Sequence, residues 1–517
     1  MHGGRVQAHS DGQGASFIPF AAFASGETVT VRTAMNIAGA NGGTYHFTVA
    51  MPAVLNLSGQ RLTATRVRGD VEHFRSRPDL APAAIRIFRN SRRAARGDLF
   101  LGAQSSPVQD GPEIRDSRGR LIWYEPVPAN DYVSDFRTQK LLGVPVLTWW
   151  QGFVRQGVGV GEEVIADNKY HALAVLSGGN GIHPDLHEFR ISRRGTALMT
   201  AFNPIWWNER SVGGPARAIV RDAVVQEIDI ATGLVMYQWD ALDHIPLSAS
   251  YKPRFKNIHH PWDFFHVNSV QDLGDGNLFV SARNTWAAYK LDHRTGKVLW
   301  TLGGKRSSFK MGRGAGFAFQ HDAELQPHNV VSMFDDGAGP PIIHKQSRVL
   351  GLRLNFARKT ASVAFSFTHT PLILSYFEGG TQRLPNGDYF AGWGSDPHFT
   401  EFSRGGQLVF DARFVADSFH DRAYRLRWSA TPDTSPSVAA SRRGRRTTVY
   451  ASWNGATGVR SWRVLAGPSP TSLRSVRSAR WRGFETAISI SAASWVAVVA
   501  LDGHGHPISA PSAAVRG

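Results

Sequence analysis

The stretch AAYKLDHRTGKVLWTLGG, residues 287–304, alternates apolar and polar side chains, breaks at a turn containing Asp, Arg, Thr and Gly, and resumes as a second strand carrying an aromatic residue. That pattern reads as a β-hairpin, because period-two alternation buries one face of a strand and Gly supplies the turn's left-handed backbone. It recurs as EIRDSRGRLIWYEP from Glu113, HEFRISRRGTALMTAF from His187, VQEIDIATGLVMYQWDA from Val225, LRLNFARKTASVAFSF from Leu352 and FTEFSRGGQLVFDARF from Phe399, six hairpins in all. Several follow a further turn-and-strand unit, as in LGDGNLFVSARN (273–284) and LPNGDYFAGWG (384–394), so one repeat has material for four antiparallel strands. Four-stranded units repeated around an axis are propeller blades. The expectation is an all-β chain built on a six-bladed β-propeller.

Two regions fall outside the ring. Residues 27–52 read as a small β unit, giving an N-terminal β unit and linker over 1–68 and a propeller over 69–428. After a Ser/Thr/Pro-rich linker at 429–440, TTVYASWNGA, SWRVLAG, FETAISIS and SWVAVVALD have the strand spacing of an immunoglobulin- or fibronectin-like β-sandwich over 441–517.

Composition narrows the chemistry. The 517 residues include 52 Gly, 27 Pro, 30 Phe and 15 Trp, which favours short strands and tight turns over helices. There is no cysteine, which excludes disulfides, thiolate metal sites and a cysteine nucleophile. The net charge is +17, and residues 441–482 contain no acidic side chain. Such a surface suits an anionic cell-envelope component; no nucleic-acid motif accompanies it, so no nucleic acid partner is expected. No apolar run is long enough for a transmembrane helix, and MHGGRVQAHS lacks the basic and apolar segments of a secretory signal.

In a propeller, reactive groups collect where the innermost strands open at one end of the channel. The candidate inner strands are DLHEF (185–189), FFHVNSV (264–270) and FAFQHDAEL (317–325). Alternation puts His266 on one face with Asn268, and turns Asp322 away from His321. Asp322 is therefore expected to take a donor from a neighbouring blade and not to orient His321. A zinc site would need three ligands converging from separate blades, and no metal or other cofactor is expected.

DLHEF, FFHVNSV, WTLGGKRSSF, FQHDAEL, SMFDDG, SRVLGLRL, RLPNGDYFAGWG and TEFSRGGQLVF follow one another in the order of the arylsulfotransferases, and the chain resembles the actinobacterial and fungal branch of that family over roughly residues 70–515. The resemblance implies a propeller that moves a sulfuryl group from a phenolic sulfate ester to a phenolic acceptor through a sulfo-histidine, with no nucleotide donor. It implies that His266 and His321 contact the sulfate and assist proton transfer, and that Arg348 binds sulfate. It further suggests Asn268, His187, Arg283 and Trp393 as substrate-binding groups. The family's attacking histidine has no counterpart here: counting back ten residues from Gly276 reaches His266, but the same count from Gly387 reaches Phe377. His398, close to Trp393, is the expected substitute, with His369 as the other choice.

The family works outside the cytoplasm, so an extracellular or cell-envelope location is the expectation. The segment YKLDHRTGKVLW also resembles the quinoprotein dehydrogenase repeat, whose Asp, Thr-Gly and Trp lock blades together; here it reads as blade packing. The competing class is a non-catalytic propeller that binds an anionic envelope component. Convergence of His266, His321, Arg348 and a third histidine on one channel mouth would separate the two.

Overall fold

Alternating apolar residues pair into antiparallel strands throughout a computed structural model that describes residues 1–35, 40–55 and 61–517. The chain is all-β in its framework, with helices no longer than a single turn among the described residues. Six sheets of four or five strands carry its middle, arranged like propeller blades. Sheet I begins with Tyr132–Leu141, sheet II with Pro184–Ile191, sheet III with Val267–Asp272, sheet IV with His321–Gln326 and sheet V with Gly380–Arg383. Sheet VI pairs Tyr424–Leu426 with Asp98–Ala103, Gly111–Arg115 and Leu121–Tyr124, so it joins the two ends of the region.

The cores lie between neighbouring sheets, because each sheet buries its apolar face against the next. Val146 and Ile165 of sheet I meet Phe189 and Met199 of II. Val225 and Trp239 of II meet Val270 and Tyr289 of III. Phe279 of III meets Val331 and Leu350 of IV, and Phe334 of IV meets Trp393 and Phe402 of V. Phe390 and Phe410 of V meet Leu99 and Leu101 of VI, and Phe100 of VI meets Val133 and Leu147 of I. Each sheet thus has two packed neighbours.

The recurrent hairpins do not map one to a sheet. Those at His187 and Val225 are the inner and outer halves of sheet II, whereas sheet I contains none of the copies. Its strands run to 12 residues and turn first at Leu142-Gly143 and Gln156-Gly157, without the Asp or Ser-Arg residues of the recurrent hairpin turns. The Thr-Gly turn of sheet III does pack sheets together: Trp239 Nε1 of sheet II donates to the carbonyl of Gly296 at 3.0 Å.

The N-terminal region forms two hairpins, Gly4–Ala8 with Ala15–Pro19 and Thr28–Arg32 with Thr44–Thr48. The second falls within the β unit expected at 27–52, of which 36–39 lie outside the described residues. At the other end, Ser437–Arg443, Arg446–Ser452 and Thr486–Ser491 form one sheet, and Ser461–Gly467, Arg474–Arg480, Trp495–Leu501 and Val515–Arg516 another. They share a core around Trp462, Val449 and Val498. Its first strand starts inside the stretch read as linker. This unit docks on sheets VI and I: Asn454 exchanges hydrogen bonds with the backbone of Tyr124, and the Tyr170 hydroxyl donates to the carbonyl of Gly455.

Candidate active site

The first strands of the six sheets face one another across the centre, and charge ties them together. Arg137 of sheet I bonds Glu188 of II at 2.6 Å, and Arg190 of II bonds Glu324 of IV at 2.6 Å. Arg422, on the way into sheet VI, lies 3.1 Å from Glu188, 3.4 Å from Asp322 and 3.6 Å from Asp135, and donates to the carbonyl of Asn268 at 2.9 Å. Asp322 accepts the backbone N–H of Thr381 from sheet V at 2.8 Å, the neighbour's donor that its strand position called for.

Against this network sit three buried histidines from three sheets: His187 of II, His266 at the entry to III, and His321 of IV. One ring nitrogen of each lies within 4.8 Å of the others. The rings of His187 and His266 are 5.1 Å apart and edge-on; those of His187 and His321 are 5.9 Å apart and nearly parallel. Each imidazole is held by a carboxylate at Nδ1: His187 by Asp185, His266 by Asp263 at 2.5 Å, and His321 by Asp336 at 2.8 Å. A carboxylate on Nδ1 fixes the tautomer and leaves Nε2 with its lone pair.

The three differ in charge. Burial opposes a proton on His187, but Asp185, as ion-pair partner and hydrogen-bond acceptor, outweighs it and raises the pKa. On His266 burial wins over Asp263, and the pKa falls to about 4. His321 is held well below its ordinary value by burial and then by His187, Arg283 and His266. A proton is thus favoured on His187 and disfavoured on His266 and His321. His266 is the most accessible, 6% exposed against 2% for each of the others. The glycine at 157 leaves space there, since a Cβ at that position would lie only 3.8 Å from Cε1 of His266.

Arg283 stands at the same mouth: it depresses the pKa of both His266 and His321, bonds the carbonyl of Tyr376 at 2.9 Å and lies 4.8 Å over the ring of Phe319. Phe202 packs 5.4 Å from His266, and Phe377, 40% exposed, meets Phe419 edge-on. The Glu378 carboxyl is buried without a hydrogen bond on Oε2 among the described residues, and burial, then Asp421 and Asp185, raise its pKa well above normal. Asn268 lies beneath the triad, its amide donating to the carbonyl of Gln320 at 2.6 Å.

The structure does not bring Arg348, His398 or Trp393 to this place. Arg348 bonds Asp335 at 2.7 Å and the carbonyls of Gly314 and Gly316, which fixes a loop of sheet IV. His398 opens the third strand of sheet V, next to His369 at a ring distance of 5.2 Å, two strands out from the channel. Trp393 is fully buried between Phe334 and His369 and bonds Thr400 at 2.9 Å, a core contact. Sequence reasoning passed over Asp185, Asp263, Asp336 and Glu378. Two of them carried a local signal, an Asp two or three residues before a histidine that leads an inner strand, as in DLH and DFFH. A cleft of about 890 Å³ is lined by Arg96, Asp98, Arg425 and Trp428 among others and includes none of the three histidines.

A family model described as arylsulfotransferase (ASST) matches residues 137–415, which span sheets I to V and all three histidines. The chain belongs to the arylsulfotransferase family. No curated protein matches it. Among solved structures, the chain is similar to a protein of unknown function from Bacteroides caccae, at 11% identity over 61% of this chain and 93% of that one, with a TM-score of 0.37. It is also similar to the GH43 protein BlXynB from Bacillus licheniformis, at 9% identity over 74% and 88%, with a TM-score of 0.31. Likenesses this loose carry no argument about the site, so its chemistry rests on the chain's own residues.

Proposed function

We propose that the chain is an arylsulfate sulfotransferase that carries a sulfuryl group from a phenolic sulfate ester to a phenolic acceptor through a sulfo-histidine. Its six sheets are read as the blades of a propeller, its C-terminal unit as an immunoglobulin-like sandwich, and its place of work as outside the cytoplasm. The observation that carries this reading is the convergence of three imidazoles, each with Nδ1 on an Asp, of which one favours a proton and two disfavour it.

His266 is the attacking group, because it is neutral, oriented by Asp263 and the most accessible of the three. Its Nε2 lone pair forms the N–S bond as the aryl S–O bond breaks, and the leaving phenolate takes the proton of His187. Arg283 and the His187 cation offset the charge on the sulfate oxygens from fixed positions, where preorganised donors are most effective. In the second half, the acceptor's oxygen bonds sulfur and the N–S bond breaks. The acceptor's proton passes to neutral His321 and from there to His187, which restores the starting state. Phe202, Phe319, Phe377 and Phe419 supply an aromatic wall for two phenyl rings.

The test is turnover of a chromogenic aryl sulfate with and without phenol, together with intact-mass detection of a sulfuryl adduct in the absence of acceptor. Acceptor-dependent release that falls by about a thousandfold in His266→Ala, with the adduct mapping to His266, is expected. An adduct on His321 or His187 would move the nucleophile within the triad. No release from folded protein with several phenols would leave the non-catalytic binding propeller.

A second reading has one observation in its favour. Three imidazoles from separate sheets, each with Nδ1 on a carboxylate, also make a donor set for zinc, which takes three protein ligands and water in catalytic sites. Turnover that disappears on chelation and returns with zinc would select it over the sulfo-histidine.

A further inference from the structure

We propose that His369, His398 and Asp411 form a binding site for a divalent transition-metal ion of the zinc or cobalt class, set in sheet V and separate from the channel. His398 opens the strand His398–Phe402, and Asp411 lies in the adjacent strand Leu408–Phe414. Because His398 pairs with Arg413 and Thr400 with Asp411, His398 and Asp411 are diagonal neighbours on one face. His369 comes from the segment that leaves sheet IV after Thr360–Phe367. One donor atom from each residue lies within 4.8 Å of the others.

The tautomers favour a ligand role. His369 Nδ1 donates to the carbonyl of Pro371 at 2.7 Å, and His398 Nδ1 donates to Asp396 at 2.6 Å. Each ring is thereby left with a free Nε2 lone pair, the arrangement that second-sphere acceptors impose on metal-binding histidines. His369 Nε2 stands 3.3 Å from Asp411 Oδ1, an ion-pair distance without hydrogen-bond geometry, and both atoms are buried with no hydrogen-bond partner among the described residues. Their residues are 3% and 7% exposed. Leaving two such atoms unsatisfied is costly, and an ion between them removes the cost. Ligands at about 2.0–2.2 Å around a tetrahedral ion are about 3.3–3.5 Å apart, which the 3.3 Å between His369 and Asp411 matches. Two imidazoles and one carboxylate suit zinc, cobalt or nickel and not the all-oxygen preference of magnesium or calcium.

Arg413, opposite His398, turns its guanidinium to the carbonyl of Phe414 and to Asp417. The His398 side chain keeps 16% of its surface exposed, which gives the ion a path in and water a fourth position. A bound ion would staple the exit of sheet IV to the outer strands of sheet V.

The experiment uses the full chain, stripped with a chelator and titrated with cobalt(II), followed by its visible d–d absorption and by zinc competition. Wild type and His266→Ala are expected to bind one equivalent with equal affinity. His398→Ala and Asp411→Asn, checked for folding by circular dichroism, are expected to bind at least a hundredfold more weakly, and zinc is expected to raise the melting temperature of wild type and His266→Ala but not of these two. No cobalt bound by wild type, or equal affinity in all four proteins, overturns the proposal. Binding lost in His266→Ala but kept in His398→Ala also overturns it, and assigns the ion to the channel instead.

Discussion

At His266 the backbone takes φ +59°, in the left-handed region that β-branched and bulky residues avoid, and Asp135, Phe319, Asp322 and Glu378 around the same centre do likewise, with φ between +49° and +61°. Non-glycine residues held there cost roughly 1–2 kcal/mol each, and such strain gathers at sites where a side chain must be aimed. Aiming is what the triad requires, since its charge pattern depends on which carboxylate each ring meets. With His187 raised above the ordinary histidine value and His266 lowered to about 4, the reactive combination of cation and neutral nucleophile exists between those two limits. The profile of kcat/KM should therefore be bell-shaped, with an acid limb near pH 4 and an alkaline limb above about 6.5. In Asp185→Asn the partner that outweighs burial is gone, so the His187 pKa drops and the alkaline limb should move to lower pH. Activity measured from pH 3.5 to 9 on the two proteins checks this; an unmoved limb would take His187 out of the proton path.

Among the elements, the hairpin turn of sheet III shows how neighbouring sheets lock. Gly296 sits at φ +69°, where Asp292 accepts from the N–H and hydroxyl of Thr295, and its carbonyl receives Trp239 from sheet II. Trp239→Phe keeps most of the apolar area and strands that carbonyl, so it should cost about 1–2 kcal/mol. Trp239→Ala adds a cavity and should cost about 3–5 kcal/mol. Urea unfolding of both variants measures the difference, and no loss in Trp239→Phe would mean that the hydrogen bond contributes little to the joint.

On the scale of the whole molecule, Arg422 links sheets II, IV, VI and I through its ion pairs with Glu188, Asp322 and Asp135 and its bond to Asn268 brings in III. Arg422→Met should cost about 3–5 kcal/mol, because it leaves three carboxylates buried with less counter-charge. The loss should shrink as pH falls toward about 6, where Asp322, already raised to about 6 mainly by burial, takes up a proton. Thermal melts at pH 5.5 and 8 test that order. The C-terminal unit presents exposed arginines at 442, 443, 445, 446, 474, 477, 480 and 482. Arg446 and Arg477 both reach Ser489, at 3.0 and 2.7 Å, which brings the two rows together. We propose this face as the contact with an anionic envelope surface. Binding to vesicles containing anionic lipid should weaken steeply between 50 and 500 mM salt, roughly as counterion screening dictates; salt-independent binding would rule out an electrostatic contact.

Strand alternation, turn residues and composition determined the all-β framework, the inner-strand stretches at 185–189, 264–270 and 317–325, and the family, because these are local patterns that a strand imposes on its own sequence. Sheet I escaped, since its Leu-Gly and Gln-Gly turns lack the polar signal of the rest. Sheet VI is assembled from residues 98–124 and 424–426, a pairing that no local pattern announces. The membership of the site was likewise a tertiary matter. His187 and His321 stand 134 positions apart in sequence yet stack because inner strands of different sheets face one axis, while Arg348 and His398, near neighbours of the motifs in sequence, sit on third strands, away from the axis. Sequence fixes which residues are available and which face of a strand they occupy; which strand end meets which depends on how sheets twist around a common centre.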